Sequence, residues 1–290
     1  MITVNSISGG KTSSYLAVNY PADINIFALV RVEDKENLWM KGKDEKTRQL
    51  VSDKIGKEFI GTVEMDDIIY TILDLEQVLG KEVVWVSGDT FEQVIRNHAD
   101  YLPNQMTRYC TTDMKIVPIF NWLQENTELP VEMRIGYRYE INEINRSKRM
   151  LDKCIDGIEP FKTIIGTSKN GKRNKWGEVP YRIPKFPLID DVISKDHINV
   201  FWSEWNEISK NKVRFAYRNN CVGCVNRQPL FLSHMANKDE DSFKWFIKQE
   251  KRTGNKFNKK ATYESIKKFG VQNQLFDDDF NECDSGYCGI

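Results

Sequence analysis

The chain has 290 residues, of which 40% are hydrophobic and 11% aromatic, and 42 Lys and Arg balance 42 Asp and Glu. This length and composition allow one large domain, or one domain with a smaller appendage, around a packed core. The zero net charge excludes a uniformly basic nucleic-acid-binding coat, but it is compatible with a local basic patch. No apolar run approaches the length of about 18 residues that a membrane helix needs, so we expect a soluble cytoplasmic protein without a membrane partner.

The first predicted strand, at residues 2–7, ends in a Gly-Gly pair and leads into a helix. Backbone N–H groups at a helix start have no intrahelical partner, and they suit an anion. The glycines allow a phosphate to approach the main chain, and hydroxyl or amino groups follow at Lys11, Thr12, Ser13 and Ser14. The alternative is an ordinary strand-to-helix turn in which serines cap the helix.

Strands and helices then alternate along the chain. Further strands are predicted at residues 24–32, 59–63, 83–86 and 131–137, and helices at residues 43–55, 90–97 and 114–124. This alternation favours an α/β fold with a doubly wound, mostly parallel sheet.

The last part of the chain has a different pattern. Residues 166–180 are polar, basic and contain glycine, which predicts a mobile surface loop, either a solvated insertion or a cover for an anionic substrate. From about Ser194 the pattern becomes helical, with Trp202, Trp205 and Ile208 on one face. Later helices are predicted at residues 243–250 and 263–269, and an acidic tail follows Gly270.

This pattern divides the chain into two predicted domains. We predict an α/β domain at residues 1–193 and a helical C-terminal region at residues 194–290.

Six cysteines stand at positions 110, 154, 221, 224, 283 and 288. In an intracellular chain, clustered cysteines favour a metal or redox site over a disulfide framework. Cys221 and Cys224 have the spacing with which two thiolates ligate one metal. Two further ligands from the tail would complete a zinc site, whereas Cys110 with one tail cysteine would complete an iron-sulfur site. Cys154 is expected in the core.

Cys110 follows Arg108 at the start of a predicted helix. The helix dipole and the guanidinium favour the thiolate, so we expect the pKa of the Cys110 thiol to be lowered.

Four segments of the chain resemble, in their order, the motifs of one family. They are SGGKTS at residues 8–13, RYCTTDMKIVPI at 108–119, RIGYRYEINEINR at 134–146, and FPLIDDV at 186–192 with the downstream pair Cys221 and Cys224. Together they are similar to the phosphoadenosine phosphosulfate (PAPS) reductase group of the PP-loop adenine nucleotide α-hydrolase-like superfamily. The resemblance covers residues 1 to about 229.

The resemblance implies a HUP-type α/β fold and a set of site residues. ATP or a related adenine nucleotide, with Mg²⁺, would be bound by Ser8, Gly9, Gly10, Lys11, Thr12, Ser13 and Arg146. Lys115 and Arg138 would have catalytic roles and complete an anion-binding rim. A 4Fe-4S cluster, or alternatively Zn²⁺, would be held by Cys110, Cys221, Cys224 and Cys283, with Cys288 as the alternative fourth ligand.

The resemblance leaves two enzymatic functions open. In the first, the protein activates a nucleic-acid or small-molecule acceptor by nucleotidyl transfer and releases pyrophosphate. Thr12 stands where such enzymes commonly carry Asp, so Asp34 or Asp89 would have to supply the carboxylate. In the second, the protein reduces a sulfated nucleotide with Cys288 as nucleophile. The ending YCGI is similar to the C-terminal element of the reductases, although Tyr287 replaces Glu and the following His is missing.

A third candidate function belongs to another class. The protein would be a non-catalytic accessory that binds nucleic acid through residues 169–175, Trp176 and residues 256–260. An oligomer is compatible with each of the three functions.

Overall fold

The computed structural model describes residues 1–168 and 173–268. The acidic tail, the last residue of the predicted helix at 263–269, Cys283 and Cys288 lie outside the described residues. None of the described helices combines the length and the apolar character needed to cross a bilayer.

The described strands form one sheet. They are β1 (Thr3–Ile7), β2 (Ile24–Ala28), β3 (Val84–Val86), β4 (Val131–Ile135), β5 (Glu159–Thr167) and β6 (Asn174–Lys185). Their order in the sheet is β3-β2-β1-β4-β6-β5. β4 pairs in parallel with β1 and β6, and β5 pairs antiparallel with β6. The predicted α/β class with a mostly parallel sheet is confirmed, and a doubly wound arrangement is compatible with it.

Helices separate most of the strands. The helices of the first half are α1 (Lys11–Asn19), α2 (Glu45–Ile55), α3 (Asp67–Leu79), α4 (Phe91–Asn97), α5 (Tyr109–Thr111) and α6 (Val117–Asn126). A π-helical turn, Thr112–Ile116, joins α5 to α6. The helices of the second half are α7 (Ile141–Leu151), α8 (Pro187–Asp190), α9 (Lys195–Ile208), α10 (Pro229–Lys238), α11 (Glu240–Thr253) and α12 (Tyr263–Lys268).

Local sequence explains where several of these elements begin and end. α4 follows Thr90, which accepts a hydrogen bond from the Gln93 N–H and donates its own N–H to the Gln93 side chain. α2 ends at Gly56, whose left-handed backbone is typical of a helix C-terminus. In β4, Val131, Met133 and Ile135 are buried and alternate with less buried residues, as a half-buried strand requires.

The chain divides into two compact units. Of the described residues, the first unit comprises 1–7, 11–26, 120–168 and 173–210, and the second comprises 8–10, 27–119 and 211–268. The two units are interleaved along the chain and neither begins at residue 194. The predicted domains, 1–193 and 194–290, stay a prediction.

Each unit has its own aromatic packing. In the first unit, the Phe120 ring stacks on Phe161 at 4.2 Å between centroids, and Tyr181 contacts both rings. In the second unit, Phe246 packs against Tyr263 and against other aromatic side chains of a large buried cluster.

The described part of the segment at residues 166–180 differs most from the prediction of a mobile loop. Residues 166–167 and 174–180 belong to β5 and β6, which pair antiparallel from the Glu159–Arg182 pair to the Thr167–Asn174 pair. Residues 169–172 of the predicted loop lie outside the described residues. The β-branched and aromatic residues of this segment favour strands, and this preference outweighs its glycines and charges.

Other predicted elements differ in smaller ways. The strand predicted at residues 24–32 ends at Ala28, and the one predicted at 59–63 is reduced to an isolated bridge between Val32 and Gly61. Ile208 does not share the buried face of Trp202, because Ile208 is 85% exposed and Trp202 is 1% exposed. α3, α7, α8 and α10 were not predicted.

Candidate functional site

The glycines of the predicted phosphate-binding turn are required by the structure. Gly9 has a φ of 72°, in the left-handed region, and an added Cβ would lie 2.7 Å from Cγ2 of Ile68. Gly10 packs against Asn219, because an added Cβ would lie 2.0 Å from Nδ2 of that side chain. Close packing against the Ile68 and Asn219 side chains therefore requires glycine at both positions.

The first unit contains the continuation of this turn. Ser6 of β1 pairs with Ile135 of β4, so the carboxyl ends of these strands lie side by side. Gly136 follows β4, and an added Cβ would lie 3.5 Å from Cα of Ser13. The strand order changes direction between β1 and β4, and open α/β sheets bind ligands at such an edge.

Three predicted cations of the first unit are engaged with neighbouring side chains. Arg138 donates from Nη2 to Glu143 at 2.7 Å and from Nη1 to Oγ1 of Thr12 at 3.5 Å. Arg146 lies over the Tyr137 ring, 4.4 Å from its centroid.

Lys11 donates to Oδ1 of Asn199 at 3.2 Å. Its burial and the nearby Lys195 lower the pKa of Lys11.

The second unit brings three predicted cysteine ligands to one cavity. Cys110 lies on α5, and Cys221 and Cys224 lie on the turn before α10. The cavity has a volume of about 70 Å³, and its lining also includes Ser8, Arg108 and Lys115. The described cysteines are free thiols.

The turn that carries Cys221 and Cys224 is fixed to the core of the second unit. The N–H of Cys224 donates to the carbonyl of Cys221 at 3.1 Å. Gly223 lies against the Phe246 ring so closely that an added Cβ would be 2.6 Å from its carbons. The Tyr263 hydroxyl donates to the Gly223 carbonyl at 3.0 Å. The positions of the two thiols therefore depend on aromatic packing behind them.

The cavity favours protonated thiols in the metal-free protein. Burial raises the pKa of Cys110 to about 11; nearby Cys224 adds to the increase and Arg108 opposes it. Burial and Glu64 also raise the pKa of Cys221. The prediction that the Cys110 pKa is lowered is wrong, because desolvation outweighs the guanidinium charge. A metal that binds here has to displace these protons.

Lys115 forms a buried ion pair at the same cavity. Its Nζ lies 2.7 Å from Oε1 of Glu64, and the two side chains are 15% and 3% exposed. Burial alone would lower the pKa of Lys115, but Glu64 and Cys221 raise it above its ordinary value. Lys115 belongs to the π-helical turn, a distortion frequent at functional sites.

Sequence reasoning missed three polar residues of the second unit: Glu64, Asn219 and Asn226. When the side-chain amide of Asn226 is oriented with its oxygen toward Arg108, this oxygen accepts hydrogen bonds from Nε and Nη2 of Arg108 at 2.9 and 3.1 Å. The run RNNCVGCVNR offered a signal for both asparagines, since polar residues flank the cysteine pair on each side. Nothing in the sequence around Glu64 marks it.

The donor set suits a thiolate-bound metal. Cysteine sulfur is the preferred ligand of iron-sulfur clusters and of structural zinc, and Arg108 and Lys115 would offset thiolate charge. However, within residues 1–168 and 173–268, no group of three or more His, Cys, Asp or Glu side chains is arranged as a metal site. Cys283, the predicted fourth ligand, and Cys288 lie outside the described residues.

Three other residues from the sequence predictions have local roles. Cys154 is half-buried in the first unit rather than in its core, and its thiol donates to the Met150 carbonyl at 3.5 Å. Asp34 pairs with Lys248 at 2.8 Å, and Asp89 accepts a hydrogen bond from Asn97 at 3.2 Å. The two carboxylates considered as Mg²⁺ ligands are therefore already engaged.

Comparisons with protein-family models, with curated proteins and with solved structures find no match for the chain. Membership of the PAPS reductase-like family therefore stays a prediction, based on the four sequence segments.

Proposed function

We propose that the chain is a PAPS reductase-like PP-loop enzyme that binds ATP or a related adenine nucleotide and activates an acceptor by nucleotidyl transfer. One observation carries the proposal. Ser8, the first residue of the phosphate-binding turn, lines the same cavity as Lys115 and the three cysteines. The turn that suits a phosphate and the cavity that suits a sulfur-bound metal are thus continuous in the chain and share a residue.

The proposed reaction is a displacement at the α-phosphorus. An acceptor oxygen forms a bond to this phosphorus, the bond to the bridging oxygen breaks, and pyrophosphate leaves with the electron pair. The backbone N–H groups that follow Gly9 and the charge of Lys11 would stabilise the leaving pyrophosphate. Arg138 would orient a phosphate oxygen at the edge where β1 and β4 end.

The two carboxylates considered from the sequence for Mg²⁺, Asp34 and Asp89, already contact other side chains. Thr12 offers a hydroxyl that contacts Arg138. The stabilisation of the leaving group is therefore assigned to Lys11 and to the backbone.

Cys110, Cys221 and Cys224 would hold a 4Fe-4S cluster or, as the alternative, Zn²⁺. When bound, a cluster supplies an electron-transfer or Lewis-acid centre, and zinc supplies a structural link or a Lewis acid. Arg108 and Lys115 would lower the cost of gathering three thiolates.

The metal is tested by anaerobic purification, an absorption spectrum and metal analysis of two matched variants. We expect a brown protein with a broad visible band that reductant bleaches, and we expect Cys221→Ser to lose both colour and metal. Cys154→Ser is the control and should keep them. A colourless protein with one zinc that Cys221→Ser removes would favour the zinc alternative, and a metal-free protein would contradict the site.

The nucleotide is tested by measuring ATP binding and pyrophosphate release with candidate acceptors. Lys11→Met should weaken ATP binding by about tenfold or more, because a charge-assisted contact to phosphate is lost. The control Lys46→Met removes an exposed lysine of α2 and should leave binding unchanged. Absence of adenine nucleotide binding would contradict the proposal. If the chain releases sulfite from PAPS and Cys288→Ser abolishes this release, the reductase function would replace the proposed nucleotidyl transfer.

A further inference from the structure

The β5–β6 pair extends beyond the sheet as a two-stranded arm. β6 pairs with β4 only through Arg182–Lys185, whereas its earlier residues pair with β5 alone. We define the arm as residues 162–167 and 173–178, most of which are exposed. At about 3.4 Å per residue, the arm projects about 20 Å.

The arm exposes three large apolar side chains. Ile164, Ile165 and Trp176 are 46%, 48% and 58% exposed. Ile164 and Trp176 are directly paired across the two strands, so they lie on the same face. Ile165 lies at a register shift, and its side chain contacts Gly177 on the other face. An exposed ribbon with apolar side chains on both faces indicates a binding surface.

The charges of the arm favour a polyanion. Lys162, Arg173 and Lys175 are exposed, and within the described part of the chain none of them forms an ion pair. Glu178, the acidic residue of the arm, lies directly opposite Lys162 in the strand pairing, so three basic residues and one acidic residue give the described arm a net charge of +2. The chain as a whole is neutral, with 42 basic and 42 acidic residues, so this local excess of positive charge is a property of the arm.

We propose that the β5–β6 arm binds the major groove of double-stranded B-form DNA. The major groove is about 12 Å wide and admits a two-stranded ribbon, whereas the A-form groove of duplex RNA is too narrow for side chains to read. Lys162, Arg173 and Lys175 contact phosphates on either side of the groove. Ile164 and Trp176 contact base edges, where thymine presents an apolar methyl group.

The proposal goes beyond the proposed enzymatic function and does not depend on it. DNA binding by the arm is compatible with catalysis elsewhere in the chain, so it differs from the idea of a non-catalytic accessory protein. It also makes residues 256–260, which sequence reasoning paired with the arm, unnecessary for DNA binding.

The test measures binding of the full chain, without nucleotide, to a labelled DNA duplex by fluorescence anisotropy. The triple variant Lys162→Gln, Arg173→Gln, Lys175→Gln should reduce the slope of log affinity against log salt by about 0.9 for each phosphate contact, between about 50 and 200 mM NaCl. Trp176→Ala should weaken binding about fivefold or more at every salt concentration and leave the slope unchanged, because apolar contact with base edges is lost while the phosphate contacts remain. Trp176→Phe should retain most of the affinity.

A matched control decides whether DNA binding depends on the arm or on exposed positive charge elsewhere on the chain. Lys256→Gln, Lys259→Gln, Lys260→Gln removes the same number of exposed charges from the second unit and should leave DNA binding unchanged. Equal losses from the two triple variants would overturn the proposal. So would the absence of duplex binding, or tighter binding of single-stranded DNA, duplex RNA or anionic vesicles. Circular dichroism checks that each variant is folded.

Discussion

Lys115 and Arg138 both come from segments that predict an anion-binding rim, but they lie in very different surroundings. Lys115 in the second unit pairs with Glu64, which is 3% exposed, beside a cavity lined by thiols. Arg138 in the first unit pairs with Glu143, which is 14% exposed, and also contacts Thr12 near the ends of β1 and β4. The Lys115 charge is paired with a buried carboxylate beside the cavity, whereas the Arg138 charge is paired with a more accessible carboxylate.

This difference shows that a basic residue of a binding motif can stabilise the fold as well as bind a ligand. The Glu64 carboxylate is too buried to be hydrated by water if its partner is removed. Glu143 can regain water more readily, and Arg138 can therefore exchange a carboxylate for a ligand phosphate at lower cost. We expect the cavity to respond to substitution mainly through stability, and the sheet edge mainly through binding.

The largest expected effect comes from Lys115→Met. Removal of one partner of a buried ion pair leaves the other charge uncompensated, and we expect a loss of about 3–5 kcal/mol in the free energy of unfolding. Arg138→Met should lose less than Lys115→Met, because Glu143 is 14% exposed and water can hydrate it more readily than Glu64. Urea denaturation of the metal-free variants measures both values.

The double variant Lys115→Met, Glu64→Gln separates lost charge from lost packing. Most of the stability lost in Lys115→Met should return when the buried carboxylate is also neutralised. If Arg138→Met costs as much as Lys115→Met, the contrast between the two regions is wrong.

The second expected effect concerns the turn between the paired cysteines. In Gly223→Ala the new methyl group would overlap the Phe246 ring, and such overpacking costs about 1–3 kcal/mol. The melting temperature and the metal content of Gly223→Ala should both decrease, because the turn positions Cys221 and Cys224. Phe246→Leu in the Gly223→Ala background should recover part of the loss, and additive losses in the double variant would contradict this packing.

Much of the sheet could be predicted from sequence, because hydrophobic runs and their periodicity are local. Val131–Ile135 is an example, since its alternation alone marks a half-buried strand. The arm was missed because its composition resembles a loop, and only pairing between Ile164 and Trp176 reveals it. Such pairing joins two consecutive segments, and the composition of either segment alone does not show it.

The sequence indicated which residues form the candidate site, but it did not indicate their protonation or their ion pairs. The spacing of Cys221 and Cys224 pointed to a shared site, and the structure brings Cys110 to the same cavity. The direction of the Cys110 pKa shift could not be derived from Arg108, because burial of the thiol is a tertiary property. Glu64 was missed for the same reason: its partner, Lys115, is distant in the sequence.

A second carboxylate of the same segment sharpens the contrast, because Asp66 lacks the cation that Glu64 has. Asp66 accepts a hydrogen bond from the Met40 N–H at 3.0 Å, and among the described residues it forms no ion pair. Burial raises the pKa of Asp66 from 3.8 to about 7; the Met40 N–H and Lys41 oppose the increase, and Asp239 and Asp67 add to it.

The smallest expected effect is therefore dependent on pH. Between about pH 4 and pH 7 the unfolded chain has lost the Asp66 proton while the folded chain keeps it, so this group lowers stability as pH rises through that window.

Asp66→Asn cannot titrate and can still accept the Met40 N–H. It should be more stable than the natural chain by about 1–2 kcal/mol at pH 8, a value reduced for solvent screening, and should show no gain at pH 4. Urea denaturation at several pH values measures the difference, with the exposed Asp53→Asn of α2 as the control that should show no such gain. Equal stability of Asp66→Asn and the natural chain at pH 8 would mean that water reaches Asp66 as readily as it reaches Asp53.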